Sequence, residues 1–236
     1  MKKIFAFVGS GRNNSSTLRY VEYLVSKIRE RQNIEVEIVT NRDISIEPCK
    51  GCLNCFVSHC CPLDKVDAFQ SIKQKMQEAD FIILASPVYL HNVTGGMKSF
   101  VDRLSYWSHI FALRGKNSMA IAVSGNSGTE YVRDYLIKVL HCFGCPVIDS
   151  AEILQIRDYD DALIDEHVNN IICALNSPIK SNVYTENNFK IMKAIMLYRG
   201  ACADEEKDKG EEYLYWKREG LLEVDSLDQL LSKMSG

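Results

Sequence analysis

An α/β fold built on a doubly wound, five-stranded parallel sheet is what this sequence predicts, and three observations carry it. Short apolar runs alternate with amphipathic helical segments through about two-thirds of the chain. The runs are those of buried strands, one of them fully apolar. Loops rich in Gly, Ser and Asn follow the first, third and fourth runs, where an open parallel sheet binds its ligands.

The elements follow in order. Lys3–Val8 is the first strand and ends in a Gly/Ser loop. Ser15–Arg31 places Leu18, Val21, Leu24, Val25 and Ile28 at helical spacing, with Ser and Thr available as caps. Glu35–Thr40 is a second strand, Lys65–Glu78 a helix, and Phe81–Ala85 the third strand, ending at Ser86-Pro87. Gly96–Ser105 is helical, Ser118–Ser124 a fourth strand, Glu130–Cys142 a helix and Val147–Leu154 the fifth strand. Right-handed βαβ units join such elements into one sheet. After roughly residue 156 the pattern changes: Asp160–Leu175 is a closing helix, and polar and aromatic segments beyond Pro178 predict two or three helices outside the core. The expected division is therefore a sheet domain over residues 1–178, with a cysteine loop at 48–62, and a helical extension over 179–236.

The chain has 236 residues, 46% hydrophobic and 25% charged, enough to bury a sizeable core. A net charge of −3 gives no electrostatic case for nucleic acid, and no basic run suggests a membrane surface. The opening Met1–Val8 is too short for a signal peptide and runs into Gly9-Ser10-Gly11-Arg12 without a cleavage site. No segment nears the apolar length of a membrane span. The expectation is a cytoplasmic protein whose nine cysteines are free, metal-bound or redox-active.

Three strand-end loops carry the candidate chemistry. Gly9-Ser10-Gly11-Arg12-Asn13-Asn14-Ser15-Ser16-Thr17 offers hydroxyls, backbone N–H groups and a helix N-terminus, a combination that suits a phosphate. Asn14 stands where a dinucleotide fingerprint needs its third glycine, and no P-loop Gly-Lys-Ser/Thr is present. Residues 85–98 offer an aromatic, an imidazole and an amide at Tyr89, His91 and Asn92, suited to a flat ligand with polar edges. Ser124-Gly125-Asn126-Ser127-Gly128-Thr129 is small enough for close backbone approach.

Five cysteines crowd Cys49-Lys-Gly-Cys52-Leu-Asn-Cys55-Phe-Val-Ser-His-Cys60-Cys61-Pro62. Thiols at CxxCxxC spacing with another before Pro have the form used for iron–sulfur ligation in bacterial ferredoxins. Packed free thiols, zinc and a disulfide switch are the alternatives. Cys61 is the expected fourth ligand because Pro62 follows it, with Cys60 as competitor; His59 reads as a solvent-facing loop residue. Cys142-Phe-Gly-Cys145 falls at a helix end, with Gly144 as the stop, which favours packing over redox chemistry. Cys173 and Cys202 read as structural, Lys98, Asp102 and Arg103 as a solvated helix face, and Tyr213–Trp216 as an anchor for a helix or subunit contact.

Gly9-Ser10…Arg12…Ser15-Ser16-Thr17, Ser86-Pro87-Val88-Tyr89 with Gly95…Lys98…Asp102-Arg103, and the small third loop together resemble the flavodoxin-like NAD(P)H-dependent FMN reductases. With Cys49, Cys52, Cys55 and Cys61 the resemblance is closest to the iron–sulfur flavoproteins of that group. It implies a flavodoxin-like sheet with FMN at the switch point. Ser10, Arg12, Asn14, Ser15, Ser16 and Thr17 would hold the phosphate, Pro87, Val88, Tyr89 and Asn92 would lie along the ring system, and Ser124, Gly125 and Asn126 would close the other side. A [4Fe-4S] cluster on the four cysteines would add a second redox centre. The implied activity is electron transfer from NAD(P)H or ferredoxin through FMN to an acceptor, in a homodimer or larger assembly. A flavodoxin-type electron carrier without its own substrate is the rival; such carriers are usually strongly acidic, which −3 is not.

Overall fold

All five expected strands form, and all are parallel: β1 (Lys2–Val8), β2 (Ile34–Thr40), β3 (Phe81–Pro87), β4 (Asn117–Ser124) and β5 (Val147–Leu154), in the order β2-β1-β3-β4-β5. The structure is a computed structural model that describes residues 1–154, 160–202 and 209–234. The reversal of strand order falls between β1 and β3, so their C-terminal ends flank the crevice of a doubly wound, flavodoxin-like sheet.

Alternate residues of each central strand enter different cores. Phe5 and Phe7 point into the layer beneath α3 (Phe69–Glu78), α4 (Gly95–Arg103) and α6 (Thr129–Cys142), where Phe7 stacks on Phe100 at 3.8 Å. Ile4, Ala6 and Val8 point the other way, against α1 (Ser16–Arg31) and α7 (Asp161–Asn176). Burial on both faces explains why the runs are continuously apolar. β5 is an edge strand and tolerates Asp149 and Glu152 for that reason.

Two local departures from expectation sit beside the cysteines. The helix expected over Lys65–Glu78 starts only at Phe69, after a 3₁₀ turn over Pro62–Lys65. At that break the Asp67 carboxylate, one residue ahead of the Ala68 cap position, accepts the Phe69 N–H at 3.1 Å. A five-residue helix, α2 (Asn54–Ser58), lies inside the cysteine loop. It is too short to show periodicity, and left-handed Leu53 and His59 bound it (φ 59° and 54°). A one-turn helix, α5 (Trp107–Ile110), follows α4.

Beyond the sheet, α8 (Val183–Cys202), α9 (Glu211–Arg218) and α10 (Leu227–Met234) form the expected helices outside the core. They enclose a third apolar cluster in which Trp216, Phe189, Met196 and Leu227 pack against Phe111 of the sheet domain. The Trp216 indole N–H donates to the His109 carbonyl at 2.7 Å. Trp216 and Phe189 thus bury within their own chain, which removes the reason for assigning Trp216 to a subunit contact. The expected change of character near residue 156 lies outside the described residues. No helix among the described residues is long and apolar enough to cross a membrane.

Candidate functional site

Loops from the ends of β1, β3 and β4 meet at the crevice, each shaped by its own small polar residues. In the first, Ser15 has extended backbone and caps α1 by accepting the Leu18 N–H at 3.2 Å. Ser10 is buried and accepts the Arg12 N–H at 3.4 Å. Gly9 is required by close approach, since a Cβ there would lie 2.7 Å from Met97 Cβ. Thr94 locks the approach: its hydroxyl donates to the Gly9 carbonyl at 2.6 Å and accepts the Met97 N–H at the start of α4.

Arg12 and Asn14 lie exposed on this loop. The Arg19 guanidinium, one turn into α1, donates to Asn14 Oδ1 at 2.7 Å and Ser16 Oγ at 3.0 Å. Arg42 adds a contact to Asn13 Oδ1 at 3.4 Å. Arg19 and Arg42 thus hold side chains of the loop, and exposed Arg12 lies on it, at the positive end of a 16-residue helix. Thr17 Oγ1 is buried with no hydrogen-bond partner in the protein. Thr94 and Arg19 escape sequence inspection, because only their spatial neighbours reveal their roles; the i, i+3 spacing of Ser16 and Arg19 was the one available signal.

The second loop carries a tight two-residue turn. Tyr89 and Asn92 pair through both backbone hydrogen bonds, at 2.8 and 3.1 Å, while Leu90 and His91 are left-handed (φ 49° and 59°). Left-handed leucine is costly, and such residues concentrate at functional sites. Leu90 is 95% exposed, and half of Tyr89 is open, so the loop presents an apolar rim to solvent. Asn92 Oδ1 accepts the Val93 N–H, and buried Ser86 accepts from Thr94 N. In the third loop the Ser124 hydroxyl collects the N–H groups of Asn126 and Ser127 at 3.2 Å and donates to the Ser127 carbonyl. Ser124 thus shapes the turn, and Gly125 and Asn126 are its exposed surface. Gly128 (φ 85°) admits His91: a Cβ there would meet its ring nitrogen at 2.6 Å. A cavity of about 1020 Å³ opens at the far end of α6 and β5, beside His141, Tyr184 and Asn188, away from all three loops.

In the cysteine loop, Cys49, Cys52 and Cys60 are exposed, and Cys55 and Cys61 half-buried. Burial pushes the Cys55 thiol up, and the neighbouring sulfurs of Cys61, Cys49 and Cys52 add to it. The four sulfurs are near enough for the other three to act on Cys55, but among the described residues no three metal-ligating side chains close on one point. All nine cysteines are free thiols. Two expectations need correction. His59 is not solvent-facing: its ring lies 6.2 Å from Tyr106 and 5.5 Å from Tyr215 of α9, with Nε2 buried and unpartnered. Lys98 and Asp102 do form an exposed pair, but Arg103 one residue on is wholly buried. α9 completes the cover, since Glu212 binds His109 at 2.8 Å and the His109 ring meets Phe56 of α2 at 4.7 Å. Cys145, by contrast, is a packing residue: its thiol is fully buried and pushed up to about 12 by that burial.

Residues 2–158, the sheet and every loop just described, match the NADPH-dependent FMN reductase family. The chain belongs to that family. This FMN reductase relative is also similar to curated iron–sulfur flavoproteins. It is 33% identical over 144 residues to one from Archaeoglobus fulgidus, covering 60% of this chain and 64% of that one. With one from Methanocaldococcus jannaschii it shares 37% over 130 residues, 54% of this chain and 66% of the other. One from Methanosarcina thermophila is 30% identical over 149 residues, 62% and 76% of the two chains. The chain thus spans just under two-thirds of the length of the first two relatives. Among solved structures, the apo form of an NADH:FMN oxidoreductase superposes with a TM-score of 0.57 at 25% identity, covering 78% of this chain and 94% of that one. RosB, solved with an 8-demethyl-8-formylriboflavin-5'-phosphate intermediate, shares the fold at a TM-score of 0.61 and 16% identity, over 87% and 89% of the chains.

Proposed function

We propose that this protein is an FMN-dependent oxidoreductase that takes electrons from a reduced nicotinamide and passes them to an acceptor through a flavin in the β1–β3 crevice. The observation that carries it is the first loop: the N-terminus of α1 and the unpartnered buried hydroxyl of Thr17 lie on it, with Arg19 and Arg42 donating to its Asn14, Ser16 and Asn13 side chains, a donor chemistry that suits a phosphate monoester. Ser10, Arg12, Asn14, Ser15, Ser16 and Thr17 would hold that phosphate, with Arg19 orienting Asn14 and Ser16. Pro87, Val88, half-open Tyr89 and Asn92 would form one wall of a flat ring site, and Ser124, Gly125 and Asn126 the other. FMN, once bound, supplies the conversion between two-electron and one-electron transfer. The protein's part is to orient the ring and exclude water, and no side chain is required as an acid or base.

Four thiols within one short loop suit a [4Fe-4S] cluster in donor chemistry, with Cys49, Cys52, Cys55 and Cys61 as ligands. Cys61 is preferred over exposed Cys60 because it is half-buried beside Cys55. Residues 1–178 would form the flavin-binding domain and 179–236 an extension that covers the cysteine loop through α9. One anaerobic preparation tests the whole reading: flavin, iron and acid-labile sulfide per chain, assembly by light scattering, and turnover with NADH and NADPH. No flavin after incubation with FMN overturns it. Flavin without nicotinamide oxidation, together with rapid reduction by a ferredoxin, selects the electron carrier instead.

A further inference from the structure

The cysteine loop is fastened by a residue outside it. The Arg103 side chain is fully excluded from solvent. Its Nη1 donates to the Glu47 carbonyl at 3.0 Å and to Asp67 Oδ2 at 2.6 Å; Nη2 donates to Asp64 Oδ1 at 2.7 Å and Asp67 Oδ1 at 3.2 Å. Glu47 lies just ahead of Cys49, and Asp64 and Asp67 lie just behind Cys61, so one planar group bridges both stems of the loop. Two further contacts close the frame: Asp67 Oδ2 accepts the Glu47 N–H at 3.0 Å, and buried Lys73 donates to Asp64 Oδ2 at 2.6 Å. The Phe69 ring packs 4.9 Å from the guanidinium. Two buried cations face two carboxylates, so the network is balanced by itself, and removing the arginine would leave carboxylates uncompensated between the stems. Nε is buried without a partner, and the Cys61 sulfur is near enough to favour the charged guanidinium.

We propose that Arg103 is the positioning residue of the cysteine loop: by clamping residue 47 to residues 64 and 67 it sets the separation of the two stems, and so the approach of Cys55 and Cys61 that ligation by four thiolates needs. A lysine cannot substitute, because a point charge reaches one stem where the forked guanidinium reaches both. The inference rests on the proposed cluster for its purpose but not for its geometry, and the test separates the two.

The full-length protein is prepared anaerobically without iron and treated with iodoacetamide, with labelling of each cysteine followed by mass spectrometry in wild type, Arg103→Lys and Asp67→Asn. Cys55 and Cys61 should label roughly tenfold faster in both variants, the lower end of what loss of a supporting contact costs a metal site. Fully buried Cys145 should stay unlabelled, and FMN affinity should hold within about twofold, since Arg103 touches none of the crevice loops. After loading with iron and sulfide, both variants should lose iron roughly 10- to 100-fold faster than wild type. Unchanged labelling of Cys55 and Cys61 overturns the proposal. So does parallel labelling of Cys145, which would make Arg103 a general structural residue. If Arg103→Lys does not fold, Asp67→Asn alone decides by the same two criteria. If wild type takes up no iron, the cluster falls, while the labelling comparison still decides whether Arg103 fastens the stems.

Discussion

The flavin crevice and the cysteine loop are held in opposite ways. The crevice loops take part of their shape from contacts within two or three residues, such as Ser15 to Leu18, Ser10 to Arg12 and Ser124 to Ser127, and part from one another, as where Thr94 binds Gly9. The cysteine loop has local bonds of its own, Asn54 to Ser58 and to the Cys60 carbonyl among them, but its stems and its cover are held from far along the chain: by Arg103, by Tyr106, and by Tyr215 of α9. A site shaped locally is ready for an anion before the anion arrives, whereas a loop held remotely takes its geometry from the packing of other elements. The first should tolerate loss of the C-terminal helices; the second should not.

The strongest way to break that contrast is Trp216→Ala. Emptying a fully buried indole that also donates to His109 should cost about 3–5 kcal/mol by thermal or urea unfolding. Below the transition it should speed labelling of Cys55 while leaving FMN affinity intact, and equal loss of FMN binding would end the distinction. Gly9→Ala is the converse lesion. Its Cβ meets the Cβ of Met97, which cannot rotate away, so about 1–3 kcal/mol should be lost along with FMN binding. Gly96→Ala should cost less, because the atom it meets belongs to the amide end of Asn41, which can turn aside.

Thr17→Val separates stability from binding. Removing an unpartnered buried hydroxyl should leave the flavin-free protein as stable or slightly more so, yet raise the FMN Kd roughly tenfold, the scale of one hydrogen bond to a charged group. An unchanged Kd by fluorescence quenching would take Thr17 out of the phosphate site. The smallest effect belongs to His141, far from both regions. Its Nε2 receives Asn182 Nδ2 at 3.0 Å and the Val147 N–H, and burial lowers its pKa below the usual 6.5. The unfolded chain then binds more protons, so this contribution is present above pH 6.5 and fades as pH falls toward the lowered folded value. His141→Gln should flatten that part of the stability–pH profile without altering FMN affinity across it.

The same contrast explains what was legible beforehand. The strands, the order of loops and the candidate phosphate residues are local patterns: an apolar run, a Ser at a helix start, a Gly where chains touch. Thr94 and Arg19, which organise that loop, were not legible, since Thr94 acts on Gly9 across the switch point and Arg19 reads as any helix-surface cation. Arg103 was misread for a related reason. Its spacing from Lys98 and Asp102 suggests one solvated face, but adjacent helix positions point about 100° apart, so Arg103 turns inward where Asp102 stays out. His59 was misplaced because nothing near it in sequence indicates that α9 lies over it.

By itself, then, the sequence determined a parallel α/β sheet, its family and the place of the candidate crevice, because periodicity and loop chemistry are set by neighbours along the chain. It also supplied the thiols. Only the tertiary structure decided that Cys55 and Cys61 are the half-buried pair, that a single guanidinium spans the stems of their loop, and that the C-terminal helices cover it. Burial and charge pairing arise between residues tens to more than a hundred positions apart, and no local pattern encodes which of them will meet.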